Sequence, residues 1–269
     1  MKKRFAALTA CAVLLVSLFT GCGGTATGSD LATVQKNGEL KIGITLFDPM
    51  NYYDPEQPDK LIGFDTEMAE AVCAKLGVTP KFVKIEWEQK ITELQSRSID
   101  CIWNGLSILE DLKQNIDYSN PYSANMQVCV VKKENLDKFA TLESMANAKL
   151  TAESKSAGEK SITDDKNLKN GQFTAVLSQQ DALLEVKSGT ADVAVIDGVM
   201  ARACVGDDTS FADLAIVPGI ELSKEEYGVG FRKGSDLTAE VNKALDELIA
   251  DGTVAKIAEK YPSVLVTLG

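Results

Sequence analysis

The sequence predicts an α/β fold in two lobes, each a mostly parallel sheet flanked by helices, with two crossing strands between them as a hinge. Three observations predict it. Short apolar strands alternate with helix-period segments along both halves of the chain. Two apolar extended runs, 127–132 and 227–232, stand where the chain would leave the first unit and return to it. The roughly 240 residues beyond the leader exceed what one small core needs and suit two.

The chain opens with an export signal. Lys2, Lys3 and Arg4 precede an apolar run at 6–19, too short for a comfortable transmembrane span, and Gly21 supplies a small residue for cleavage before Cys22. Residues 1–21 are read as signal peptide. The Gly/Ser/Thr stretch at 23–29 is a flexible tether, so 22–36 is read as anchor and tether. Three of the 28 Lys and Arg lie in the signal and none of the 39 Asp and Glu do, so 25 basic residues face 39 acidic ones, a formal charge of −14. Such a surface disfavours nucleic acid and anionic headgroups as partners.

The first lobe, 37–128, begins with a strand at 40–44 and a loop carrying Phe47 and Tyr52. Asp65 is expected to cap a helix over 66–76 that Gly77 stops. A strand at Phe82 and Val83 leads to Trp87 in a loop and a helix around Ile91 and Leu94. Ile99, Cys101 and Trp103 mark a buried strand that breaks at Asn104 and Gly105. Ser107, Glu110, Leu112 and Ile116 then have the spacing of a helix that starts at the strand's carboxyl end, where ligands sit in open α/β sheets. The second lobe, 129–228, repeats the alternation: a strand at 149–152, a helix opening near Ser156, a strand at 173–176, a helix over 179–187 before Gly189, and a strand at 192–196. Asp197 ends that last strand facing the crevice; the alternative role is a cap for 198–204. Residues 229–269 return to the first lobe with helices over 236–251 and 254–260.

Cys73, Cys101, Cys129 and Cys204 permit three disulfide pairings in an exported chain; a Cys73–Cys101 bridge is favoured, with four buried thiols as the alternative. Without histidine or a CxxC motif, no metal site is expected. No cofactor is indicated either.

Several motifs carry a resemblance. Asp100, Gly105, Ser107, Tyr118, Ser119, Pro121 and Tyr122, the run Gly63-Phe64-Asp65 with Ala69, Ala71 and Leu76-Gly77, and Asn242 to Thr253 resemble the polar amino-acid substrate-binding proteins of ABC transporters, the family-3 solute receptors. The likeness runs from Leu40 to Tyr261, and the lipobox-like Leu18 to Cys22 resembles that of bacterial lipoproteins. The resemblance implies a periplasmic-binding-protein-like clamshell of type II that binds without catalysis: a monomer, held at the outer face of the cytoplasmic membrane by lipid on Cys22, that delivers a small amino-acid-like ligand to ABC permease subunits. It implies a ligand site of Phe47, Tyr52, Trp87, Asn104, Gly105, Ser107, Ser156 and Asp197, with Asp197 on the ligand's ammonium. The chain departs from the pattern where the ligand carboxylate is normally held. Leu112 replaces the clamp Arg, Leu109 a Thr, and Ala157 a hydroxyl residue. A bidentate Arg–carboxylate pair has no substitute in Leu, which leaves backbone amides with Lys113 or Lys155, or a ligand that is not a free α-amino acid. A sensory module of the same fold and a cyclohexadienyl dehydratase-like enzyme are the competing functions. The first normally continues into a transmembrane helix, and the second needs an acid–base pair that a chain without histidine does not readily supply.

Overall fold

Residues 28–267 are described by a computed structural model. The signal at 1–21 and Cys22 lie outside them. Residues assigned to the tether prove to be partly helical. Helix α1 (Asp30–Asn37) is capped by Ser29, whose Oγ accepts from Ala32 N, and ended by Gly38 at φ 70°. Asp30 holds it down: its buried carboxylate takes Arg97 Nη1 at 2.6 Å and Arg232 Nε at 2.9 Å, a long-range pairing that tether composition does not reveal.

β1 (Glu39–Ile44) follows, then the small hairpin of β2 (Tyr52–Tyr53) and β3 (Leu61–Ile62). Helix α2 (Phe64–Leu76) starts at Gly63, not Asp65. A Cβ on Gly63 would lie 2.2 Å from Met50 O, so glycine admits the tight entry. Asp65 is the second residue of the helix and fully buried, its carboxylate accepting from Gly105 N and Tyr122 OH. β4 (Thr79–Lys84), a 3₁₀ turn at Trp87–Gln89, α3 (Lys90–Gln95) and β5 (Cys101–Ile102) continue the lobe. The helix expected after Ser107 does not form. Ser107 bridges Tyr227, Ile108 N donates to Glu226 O at 2.8 Å, and only a 3₁₀ turn at Leu112–Gln114 precedes β6 (Ile116–Tyr118). The backbone there is claimed by a strand more than a hundred residues away, which outweighs the local helical spacing.

β7 (Ser123–Lys132) carries the chain into the second lobe, which comprises β8 (Lys149–Glu153), α4 (Ala157–Asp164), β9 (Gln172–Val176), α5 (Gln179–Ser188), β10 (Val193–Asp197), α6 (Gly198–Cys204) and β11 (Leu214–Ile216). β12 (Lys224–Tyr227) and β13 (Gly230–Arg232) return it, and α7 (Leu237–Ala250), α8 (Thr253–Ala258) and β14 (Leu265–Val266) close the first lobe and the hinge.

The first sheet has the order β4-β1-β5-β13-β6 and the second β11-β7-β10-β8-β9. In each, one strand runs against the rest: β13 in the first, β7 in the second. These are the strands that arrive from the opposite lobe. β12 and β14 pair with the first half of β7, so the hinge holds three strands side by side. Beneath the cleft, Tyr122 sits 6.2 Å from Phe64 and 6.3 Å from both Trp103 and Tyr227, an aromatic floor shared by both lobes. Cys73, Cys101, Cys129 and Cys204 are all free thiols, so the favoured Cys73–Cys101 bridge is absent. Three of them are buried and pack as small hydrophobes.

Candidate functional site

The carboxyl ends of β1, β5, β8 and β10 converge on a small cavity of about 20 Å³ between the lobes, which touch across its mouth. The first lobe lines it with Thr45, Phe47, Trp87, Asn104, Gly105 and Ser107, among others; the second contributes Glu153, Ser156, Ala157, Gln179 and Asp197. Seven of the eight sequence-predicted ligand residues therefore meet at one place. Tyr52 does not. The β2–β3 hairpin pairs it with Ile62 and leaves it half-buried against the first lobe's core, outside the lining.

The first-lobe wall is built by local saturation. Asn104 Oδ1 accepts from Thr45 N at 2.9 Å and Thr45 Oγ1 at 2.7 Å, while Nδ2 donates to Thr45 O at 3.0 Å and Asn51 Oδ1 at 2.6 Å. All four hydrogen-bonding positions of the carboxamide are taken. Asn104 thus fixes the wall and offers a ligand only contact. Gly105 adopts φ +56° and donates its N–H to Asp65 Oδ2 at 2.7 Å; that oxygen also takes Tyr122 OH at 3.0 Å. Burial lifts Asp65 to about 7. Phe47 and Trp87 supply flat apolar faces, and Lys90 Nζ lies 4.6 Å from the centre of the Trp87 ring.

Lys90, missed in the sequence, is buried at 3 % exposure. Its ammonium donates to Trp87 O at 3.2 Å and, across the cleft, to Lys155 O at 2.9 Å. Ser154 Oγ to Glu88 Oε2 at 3.0 Å is a second contact between the lobes, so they touch across the cleft mouth. Burial lowers Lys90 to about 8, against the pull of Glu153 and Glu159.

The second-lobe wall is acidic. Asp197 stands at the N-cap position of α6 but caps nothing with its side chain. Its Oδ1 accepts from Asn125 Nδ2 and from Gln127 Nε2 at 2.6 Å, and its Oδ2 from Gln179 Nε2. Burial raises its pKa. Asn125 and Gln127 also donate to Glu225 Oε1, tying a second acid, pushed up to about 7 by burial and by Asp197, to the first. Glu153 lines the same wall, and burial and then Asp197 push it up to about 8. Ser156 caps α4, its Oγ accepting from Glu159 N at 3.2 Å.

Glu153 was missed although it obeys the rule that picked Asp197: an acid at the last residue of a strand. Gln179 opens a helix and carries no comparable signal. Lys113, considered as a carboxylate anchor, pairs with Glu110 at 2.6 Å on the surface. Lys155 lines a neighbouring compartment with Leu109 and Leu112, separate from the residues around Asp197. Among the described residues, no Arg or Lys side chain lines the interlobe cavity.

The profile of the bacterial extracellular solute-binding proteins, family 3, matches residues 40–263. The chain is similar to the arginine-binding extracellular protein ArtP of Bacillus subtilis, at 23% identity over 97% of this chain and 98% of the relative. It is 27% identical to the L-cystine-binding protein TcyJ of Escherichia coli K12 over 95% of each. Among solved structures, a variant of the ArgBP of T. maritima superposes with a TM-score of 0.79 at 30% identity, covering 87% of this chain and 99% of the other. The two lobes and their hinge are the periplasmic-binding-protein clamshell. The chain belongs to the bacterial extracellular solute-binding proteins of family 3.

Proposed function

We propose that the protein captures a small amine-bearing, amino-acid-like solute between its lobes and delivers it to ABC permease subunits, without chemical conversion. It works outside the cytoplasm as a monomer, tethered to the membrane through lipid on Cys22. The observation that carries this reading is the buried Asp197, oriented by three amides at the carboxyl edge of β10 and facing an enclosed cleft. A fixed carboxylate in a poorly hydrated site binds an ammonium through a strong charge-assisted hydrogen bond. Phe47 and Trp87 then flank the ligand's aliphatic part, Gly105, Ser107 and Ser156 contact it, and Asn104 holds the wall rigid. The arginine- and cystine-binding relatives support an amino-acid-like ligand, and their names as binding proteins support transport over catalysis.

Isothermal titration of purified protein with amines, amino acids, their amides and short peptides tests the ligand class. Asp197→Asn is expected to weaken amine binding by about ten- to a hundred-fold, the worth of roughly 1.5–3 kcal/mol for a hydrogen bond to a charged group. Leu112→Arg is expected to raise affinity for α-amino acids. Submicromolar binding of a free amino acid that neither change alters refutes the reading. Intact mass of membrane-extracted protein is expected to show loss of residues 1–21 and a lipid adduct; unmodified protein in the medium refutes the anchor.

A further inference from the structure

We infer that Glu153 is a second cation-binding residue and that the cleft is built for a dication lacking a carboxylate, such as a linear diamine or a guanidino-amine. This rests on the reading that Asp197 binds an ammonium. The starting point is a buried acid with nothing to hold. Glu153 is 4 % exposed and lines the cavity, yet among the described residues its carboxylate accepts no hydrogen bond and makes no ion pair. Leaving a charged group in that state is costly, and such a group in a native site points to an absent partner.

The charge balance gives the partner's valence. Glu153, Asp197 and the linked Glu225 form one acidic wall, while among the described residues Lys90 is the one buried ammonium facing it. Once its acids ionise, the wall carries more negative charge than Lys90 can balance, which favours a ligand with more than one positive charge. Lys90 is not free to move toward them, since it is held by Trp87 O and Lys155 O. No group of three or more metal-ligating side chains occurs among the described residues, so an organic dication is the better match than a metal ion.

Nothing cationic serves a carboxylate here. Leu109 and Leu112 line a neighbouring compartment, Ala157 offers no hydroxyl, and among the described residues the cavity lining has no cationic side chain. A free carboxylate placed beside Glu153 and Asp197 meets like charge. An amino acid with a basic side chain has the two cationic ends but also that carboxylate; its decarboxylated counterpart keeps the ends and drops the penalty. The aliphatic spacer of such a molecule is what the faces of Phe47 and Trp87 accommodate.

Proton uptake provides a signature. The groups facing Glu153 are Asp197 on β10, Lys90 on α3, Asp181 on α5 and Glu86 ahead of the Trp87 turn. With Glu153 pushed up to about 8 in the empty cleft, it is largely protonated at neutral pH. A bound cation favours the carboxylate, so binding releases a proton, and affinity rises as pH is raised toward 8.

The test is calorimetric titration of the purified protein with 1,5-diaminopentane, lysine and 1-aminopentane, and with agmatine and arginine. The diamine is expected to bind at least tenfold tighter than either lysine or the monoamine, and agmatine tighter than arginine. Glu153→Gln is expected to erase the diamine's advantage over the monoamine and to lower proton release, read from buffers of different ionisation heat. Its melting temperature should not fall, since the carboxyl it replaces has no hydrogen-bond partner in the empty cleft. Lysine binding tighter than the diamine, or a diamine affinity and proton count unmoved by Glu153→Gln, overturns the inference. Asp197→Asn separates the two claims. If it weakens every amine while Glu153→Gln changes none, only the second anchor fails; if it changes nothing, the amine reading of the cleft fails as well.

Discussion

Gly105→Ala tests a backbone position at which the cleft floor and the Phe47 wall meet. Two costs add. An L-residue at φ +56° is worth about 1–2 kcal/mol against it. The new Cβ would also stand 2.5 Å from Phe47 Cε1, where ordinary contact begins near 3.4 Å, so the ring must shift by about an ångström. Phe47 is poorly placed to yield, being 4 % exposed and pinned by its N–H to Asn51 O at 2.8 Å. Overpacking of this kind costs about 1–3 kcal/mol, for a total of about 2–5 kcal/mol. At about 2–4 °C per kcal/mol for a chain of this size, the melting temperature should drop by roughly 4–20 °C. Circular dichroism melts of the ligand-free protein measure it. Gly77→Ala is the control, because Gly77 has φ 70° but nothing within 4 Å of its missing Cβ, so it reports strain without clash. Equal losses in the two variants would refute the claim that Phe47 and Gly105 are packed against each other as a unit, and amine affinity should fall only in Gly105→Ala.

Two further outcomes are expected. Burial pushes Asp30 up, but hydrogen bonds from Arg232 and Arg97 outweigh it and hold the carboxyl below its ordinary value; its contribution is therefore present above the ordinary carboxylate range and lost as pH falls through and below it. Asp30→Asn should lower the melting temperature at neutral pH and flatten its decline toward acid, and a parallel decline in both proteins would contradict this. Burial pushes the thiols of Cys73, Cys129 and Cys204 up to about 12, so a thiol reagent should react with them in the native state far more slowly than after unfolding, and reduction should change neither mass nor melting temperature. A two-dalton gain on reduction would show a bridge.

The second lobe was legible because its signals are local. Gly189 ends α5 in the left-handed conformation, Ser156 caps α4, and each strand is a short apolar run. The segment after Gly105 was misread for the opposite reason: Ser107 to Ile116 has helical spacing, but its backbone partners are Glu226 and Tyr227. Asp65 looks like a cap in sequence, and only the approach of Gly105 and Tyr122 gives it its actual partners. The same limit applies to Asn104 and Glu153. Whether a polar side chain is spent on its neighbours or left open toward a cavity is a property of the folded whole, and one acid at a strand end was recognised while its twin was passed over.

The strand β7 is shared between two ladders. From Ser123 to Met126 it is bordered by β12 and β14, and from Gln127 onward by β10, with β11 joining farther along. Asn125 and Gln127, two residues apart and on one face, straddle that change of neighbours, and both donate to Asp197. Any swing of the lobes that bends β7 at this junction would move Asn125 and Gln127 relative to each other and so alter their shared grip on the acid. Lobe angle and carboxylate solvation are then a single coordinate. Substitutions at Asn125 should alter grip and opening together, and a reporter dye placed on the outer side of this strand would read occupancy of the cleft without touching it.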